Sequence, residues 1–294
     1  MIAVDWGTSS LRAYLLGPAG EIVARRESPS GILAVRDGHF AETLLGHISP
    51  WIEAGDRTIL MSGMIGSRQG WKEAPYVRAP AGAAEIASAL VAVEVASGLQ
   101  AWLVPGVMAV TPEGVPDVMR GEETQILGAT HVLGTGSHLL CLTGTHSKWV
   151  SVEDGSITGF RTSMTGEVFA VLREHSILGR TMSPGNGFDA TTFEAGLRRA
   201  GDPGGLLHHL FGVRARHLAG ELADDVSGDY LSGILIGHEL GSAKGERTIH
   251  ILGAHALAQR YVHACRVLGR DCSLLDADAA ATGLWHLVRS RPGL

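Results

Sequence analysis

Residues 2–16 read IAVDWGTSSLRAYLL: an apolar run that meets a carboxylate at Asp5, a small-residue turn at Gly7-Thr8-Ser9-Ser10, then a second apolar run. Short apolar stretches bounded by glycine and hydroxyl residues read as strands, so the spacing predicts strands over 2–5 and 11–16 joined by a tight turn. Gly17-Pro18-Ala19-Gly20 is a second turn and leads into a third strand from Glu21 to Arg26. The opening is a β-meander with an acid beside its first turn.

The same pattern returns in mid-chain. In HLLCLTGTHSKWVSVEDGSITGF, residues 138–160, strands are expected over Leu139–Leu142, Lys148–Val152 and Ser156–Phe160, with turns at Gly144-Thr145-His146 and Asp154-Gly155. Gly7 and Gly20 lie 13 residues apart, Gly144 and Gly155 11 apart, and this near-match reads as a structural duplication with one copy per domain. Around the meanders, Phe40, Leu44, Ile48 and Trp51 recur at helical spacing, Thr58–Met61 reads as a short buried strand, and Ala83–Val95 reads as a helix. Further helices are expected over Thr191–Arg199, over the glycine-laced YLSGILIGHELGSA (230–243) and over Asp278–Val288, and residues 248–269 read as strand, glycine turn and helix. A turn at Gly253 would aim a helix N-terminus at whatever lies beyond that strand. Strands alternating with helices argue for an α/β protein. At 294 residues it is long enough for two cores, with expected domains over 1–125 and 126–294.

Composition narrows the function. The chain is 45% hydrophobic and 18% charged, and its net charge of -6 is scattered, which provides no basic surface for nucleic acid or an anionic membrane. No apolar stretch approaches the ~20 residues of a membrane span, and no signal-peptide pattern opens the chain. Cys141, Cys265 and Cys272 lack C-x-x-C spacing and read as reduced thiols, so a cytoplasmic protein is expected. His208, His209 and His217 lack a metal-ligand spacing and read as surface histidines.

The dipeptide Gly-Lys is absent, which excludes a P-loop, and GTGSHL at 134–139 is not a G-x-G-x-x-G fingerprint. The two glycine-threonine turns offer another phosphate grip, because successive backbone N–H groups form an anion nest and the hydroxyls of Thr8 and Thr145 add donors. Asp5 would then hold Mg2+, a hard cation that prefers oxygen ligands. The plainer alternative is two ordinary turns, with Asp5 capping the first.

Six stretches, DWGTSSLR (5–12), MSGMIGSRQGWKEAPYV (61–77), VMRGEETQILGA (118–129), LTGTHSKWV (142–150), FRTSMTGE (160–167) and SGILIGHEL (232–240), together resemble the 2-dehydro-3-deoxygalactonokinase family of the sugar kinase, Hsp70 and actin superfamily. The resemblance runs in order over roughly residues 1 to 288. It implies an α/β fold of two ribonuclease H-like (actin-like ATPase) domains with a cleft between them, closing over MgATP and a sugar acid. It also implies phosphorylation of 2-dehydro-3-deoxy-D-galactonate on its 6-hydroxyl in galactonate catabolism, and it leaves room for a homodimer.

By position, Asp5 to Ser10 (Gly7, Thr8 and Ser9 at the turn) match the superfamily's first phosphate motif, and Thr143 to His146 (Gly144, Thr145) the second. There Thr143 replaces the usual acid, and His146 either donates to a phosphate or is satisfied within the hairpin. RGEETQILG resembles the stretch whose acid is the catalytic base in related sugar kinases, which makes Glu122 the first candidate and Glu123 the second. The alternative is a helix start enriched in acids. Arg68, Trp71, Lys72 and Tyr76 in a glycine-broken loop suit a hydroxylated carboxylate, Arg120 is a further carboxylate partner, and Lys148 puts a cation near the second turn. Gly253 and Ala254 match the adenosine motif, with Ala254 in place of a further glycine. Two other readings stay open: a kinase of an epimeric acid such as 2-dehydro-3-deoxy-D-gluconate, and a non-catalytic sugar-acid sensor. A sensor is expected to carry an added DNA-binding segment, whereas these residues start at the first strand, and Asp5 with Glu122 favours catalysis.

Overall fold

The computed structural model describes residues 1–185, 187–243, 247–276, 278–291 and 293. Along the first half run β1 (Ile2–Trp6), β2 (Leu11–Leu16), β3 (Ile22–Ser28), α1 (Phe40–Glu53), β4 (Ile59–Ser62), β5 (Tyr76–Arg78), α2 (Ala83–Ser88), β6 (Val91–Ala96), β7 (Leu99–Leu103), β8 (Gly106–Val110), β9 (Pro116–Met119) and α3 (Glu122–Leu133). The second half follows with β10 (Ser137–Thr143), β11 (Ser147–Glu153), β12 (Ser156–Ser163), α4 (Thr165–His175), α5 (Ala190–Ala200), α6 (Gly205–Leu218), α7 (Ser227–Ser242), β13 (Ile249–Gly253), α8 (His255–Val267), β14 (Cys272–Leu274) and α9 (Ala279–Arg289). Two compact units result: Met1–His138 with Val150–Arg161 and Leu275–Leu294, and Leu139–Trp149 with Thr162–Leu274.

In the first unit the main sheet has the order β3-β2-β1-β4-β7-β6. β1 pairs antiparallel with β2 and parallel with β4, in a register that sets Asp5 opposite Arg12 on one side and Ser62 on the other. Ile2, Ala3, Val4 and Trp6 are wholly buried, as a central strand covered on both faces requires. Helix α1 lays Phe40, Leu44, Ile48 and Trp51 into the same core. A smaller sheet, β5-β8-β9, leads into α3.

The second sheet runs β12-β11-β10-β13-β14, with β10 parallel to β13 and Thr143 opposite Gly253. Both sheets thus place strands three, two and one of a meander beside the parallel strands that follow, which is the ribonuclease H-like order; the duplication is present, but not as one copy per unit, since Val150–Arg161 of the second meander belongs to the first unit. The glycine-laced α7 is buried as expected: a Cβ added at Gly233 would fall 2.1 Å from the Phe193 carbonyl oxygen of α5.

Three expectations change. Ala83–Val95 is not one helix: α2 stops at Ser88, and Val91, Val93 and Val95 enter β6, which pairs antiparallel with β7. Alternating β-branched residues around exposed Glu94 carry a period of two, and a strand with a partner prevails over a weak helical pattern. The compact units do not divide at 125/126, because α9 packs on α3 within the first unit. Cβ atoms added at Gly128 and Gly283 would fall 1.9 Å from the Ala279 oxygen and 1.8 Å from the Thr124 oxygen, so the two helix backbones touch. Finally, His209 is buried rather than a surface residue, its ring bonded to His238 at 2.9 Å and to the Pro203 carbonyl at 3.2 Å. Among the described residues no helix is long and apolar enough to cross a membrane.

Candidate active site

The acids of the first unit meet where three strand ends stop. Gly63 follows β4 with φ +93°, and a Cβ there would lie 2.7 Å from the Trp6 carbonyl and 3.4 Å from Asp5 Oδ1. Gly121 precedes α3 with φ +103°, and its Cβ would lie 3.1 Å from Gly63 Cα. Two glycines in conformations that side chains resist therefore bring the start of α3 beside the end of β1. Asp5 is mostly buried, with Arg12 Nη1 3.8 Å from its carboxylate, and burial raises its pKa.

At the start of α3 the two glutamates part company. Glu122 is half-buried and accepts from the backbone N–H of Arg120 at 3.0 Å. Glu123 is fully buried, accepts from Gly121 N–H at 2.7 Å through Oε2, and has no partner for Oε1 among the described residues. Burial, reinforced by the charge of Glu122, pushes its pKa up to about 8. At neutral pH Glu123 therefore holds its proton. Beside them Arg120 lies over the Tyr76 ring at 4.5 Å and donates through Nη2 to the Ala74 carbonyl at 2.7 Å. Its Nε and Nη1 are buried and lack partners among the described residues. Two unsatisfied guanidinium donors are a standing demand for an anion.

Each unit carries one of the glycine-threonine turns. In the first, Gly7 N–H donates to Ser10 O at 2.9 Å, and the segment after β3 clamps the turn from outside, Ile32 N–H on Gly7 O at 3.0 Å and Leu33 N–H on Thr8 O at 3.3 Å. Gly31 permits this, since a Cβ there would fall 2.3 Å from Thr8 O. Thr8 and Ser9 stay exposed. In the second turn the start of α4 does the clamping: Glu167 N–H donates to Thr145 O at 3.0 Å, and a Cβ at Gly166 would fall 2.4 Å from Gly144 O. Thr145 is exposed, and the His146 ring is bonded to the Glu167 carboxylate. Thr143 donates to Leu252 O at 3.1 Å, which ties it into β13, and buried Lys148 donates to Thr162 Oγ1 at 2.7 Å.

A cavity of about 310 Å³ opens next to the second turn, within the second unit. Gly144, Thr165, Gly166, Ile236, Leu257 and Tyr261 are among its lining residues, and Arg260 stands at its wall, held by Asp229 at 2.7 Å. Gly253 and Ala254 lead directly into α8, which supplies one wall.

A family model described as 2-keto-3-deoxy-galactonokinase matches residues 5–287. The chain belongs to that family. This kinase is 36% identical over 284 residues to the 2-dehydro-3-deoxygalactonokinase of Escherichia coli (strain K12), covering 95% of this chain and 94% of that one. It is 38% identical over 301 residues to a Rhizobium meliloti (strain 1021) protein provisionally given the same name, covering 97% of each. It also superposes with a TM-score of 0.90 on a crystal structure provisionally assigned to the same activity from Sinorhizobium meliloti, at 37% identity over 100% of this chain and 99% of that one. The kinase has the actin-like ATPase fold its two sheets describe.

Not every residue singled out in the kinase's sequence joins these clusters. Asp5, Glu122, Glu123 and Arg120 are gathered by the two crossing glycines. Trp71 stacks on Phe40 at 6.3 Å and packs on the core. Lys72 donates to the Ala92 carbonyl at 3.1 Å on edge strand β6, and exposed Arg68 pairs with Glu73 at 3.0 Å. The sequence reading missed Glu239, Thr165 and Tyr261. A signal was present: a glutamate inside an otherwise apolar, glycine-laced helix is buried, and a buried carboxylate needs donors.

Proposed function

We propose that the chain transfers the terminal phosphoryl group of ATP to the 6-hydroxyl of 2-dehydro-3-deoxy-D-galactonate. The observation that carries the reading is Arg120, in a chain of this kinase family: its Nε and Nη1 are buried without partners among the described residues, and its backbone N–H donates to the Glu122 carboxylate. Arg120 holds the substrate carboxylate through those donors, and Tyr76 under the guanidinium fixes its plane. Glu122 accepts the hydroxyl proton as the oxygen attacks phosphorus, and Glu123, protonated, holds the Gly121 turn in place.

Each exposed turn, Gly7-Thr8-Ser9 in the first unit and Gly144-Thr145 in the second, offers phosphate donors of its own, with His146 and Lys148 flanking the second. The nucleoside occupies the cavity beside Gly253 and Ala254. Asp5 fits a magnesium site by its donor chemistry: a lone strand-end carboxylate suits a cation that takes one or two protein oxygens and otherwise waters and phosphates. When bound, the metal neutralises phosphate charge.

The test is coupled ADP release with the galactonate-derived acid and its gluconate-derived epimer, for wild type and Glu122→Gln. Turnover should favour the first acid and fall by about 10²–10⁴ in the variant. Ligand binding without ADP release from either acid would leave a sugar-acid sensor instead. Full activity in Glu122→Gln would move the base elsewhere.

A further inference from the structure

One buried carboxylate on α7 bonds to two helices that wall the cavity of the second unit and to the neighbouring strand β11, yet it does not line the cavity itself. Glu239, on α7 and 5% exposed, accepts from Trp149 Nε1 of β11 at 2.7 Å through Oε1. Through Oε2 it accepts from the Tyr261 hydroxyl of α8 at 2.6 Å and from the Thr165 hydroxyl at the start of α4. Tyr261 and Ser147 Oγ lie 3.0 Å apart. Burial, with the charge of Glu239 next, raises the Tyr261 pKa far above the ordinary phenol range, so its hydroxyl remains a donor and Ser147 donates to it in turn.

The arrangement is one of position rather than chemistry. Thr165 and Tyr261 are cavity walls, and Thr165 precedes Gly166, the residue pressed on Gly144 of the phosphate turn. Three donors from three elements, converging on one carboxylate, set the spacing between the α4 wall, the α8 wall and β11, the strand that follows the turn. A neutral apolar residue at 239 would leave those buried donors without an acceptor, and the walls would shift to find water or one another.

We propose that Glu239 is the positioning residue of the nucleotide pocket, holding α4, α8 and β11 in the arrangement that binds the nucleoside of the phosphoryl donor. The proposal rests on reading that cavity as the nucleotide pocket. It assigns Glu239 to nucleotide affinity and leaves the sugar acid and the chemical step to the residues of the first unit.

The experiment compares Glu239→Leu, Tyr261→Phe, Thr165→Val and Leu257→Trp, measuring KM for ATP, KM for the sugar acid, kcat at saturating ATP, ADP binding by calorimetry, and Tm. Glu239→Leu should raise KM for ATP and the ADP Kd by about tenfold or more, with kcat and the sugar-acid KM within about threefold of wild type. Tyr261→Phe and Thr165→Val should each raise KM for ATP by about three- to tenfold, and Tyr261→Phe should add nothing in the Glu239→Leu background. If Glu239→Leu does not fold, the two single-donor variants decide: a raised KM for ATP in both supports the proposal, and an unchanged value in both overturns it. A folded Glu239→Leu whose loss falls in kcat, or in the sugar-acid KM, also overturns it. Leu257→Trp, which fills the cavity, separates the two levels. If ADP still binds that variant, the pocket reading itself fails. If ADP binding is lost there but intact in the Glu239 and Tyr261 variants, only the role of Glu239 fails.

Discussion

The two glycine-threonine turns are built alike and equipped differently. Each follows the first strand of a meander, and each is clamped from outside by a segment that brings a glycine against it, Gly31 on Thr8 in one and Gly166 on Gly144 in the other. At the strand end, however, the first turn has Asp5 and the second has Thr143. Asp5 keeps a partly accessible carboxylate, whereas the Thr143 hydroxyl is spent on the Leu252 carbonyl and pressed by Gly253, whose added Cβ would lie 2.2 Å from Thr143 Oγ1. The duplicated frame thus supplies two similar turns, while Asp5, Glu122 and Glu123 lie in one unit. There Arg120 stands just before α3 and Glu122 opens it, while α9 packs on α3.

That contrast is open to experiment. Asp5→Asn should lower kcat/KM by about a thousandfold while Tm and circular dichroism stay near wild type, the result the proposed magnesium role of Asp5 requires. A similar loss from Thr143→Val would break the comparison. Arg120→Met should raise the sugar-acid KM by about ten- to a hundredfold and leave KM for ATP unchanged, as expected for loss of a charge-assisted pair in a first-unit site. Glu123→Gln should keep most activity and change the pH dependence of stability. The folded protein holds the Glu123 proton up to about pH 8, whereas the unfolded chain releases it near the ordinary 4.5. Unfolding free energy therefore falls as pH rises through that window, and the glutamine variant should be spared that loss, of the order of a few kcal/mol, in urea melts from pH 5 to 8.5. The smallest effect is expected from Thr143→Val itself, about 1 kcal/mol of stability with kcat/KM within about threefold, read by the same melts and the coupled assay.

Much of the fold was legible because hairpins, glycine turns and helical stripes are written in windows of a few residues. The two meanders, α1, α5 and α8 fall close to where their patterns place them. Ala83–Val95 went astray because a short apolar run fits both periods, and only pairing with β7 selects the strand. The candidate site was legible to the level of residue type. Glu122 and Glu123 are adjacent in sequence and equally acidic on paper, but one is half-buried and the other sealed, a difference that no local pattern shows. Lys72 and Arg68 look like anion receptors in the sequence. In the structure their partners are the Ala92 carbonyl and the Glu73 carboxylate.

By itself the sequence determined the α/β order, the repeated turns, the acids at Asp5 and Glu122, and membership of a kinase family, since each rests on local pattern or on motifs in order. Only the tertiary structure decided which charges are satisfied. Gly63 against Gly121, α9 against α3, the unpaired nitrogens of Arg120 and the three donors on Glu239 all depend on atoms far apart in the chain. Burial and hydrogen-bond partnership, which set pKa and binding, are properties of those long-range contacts.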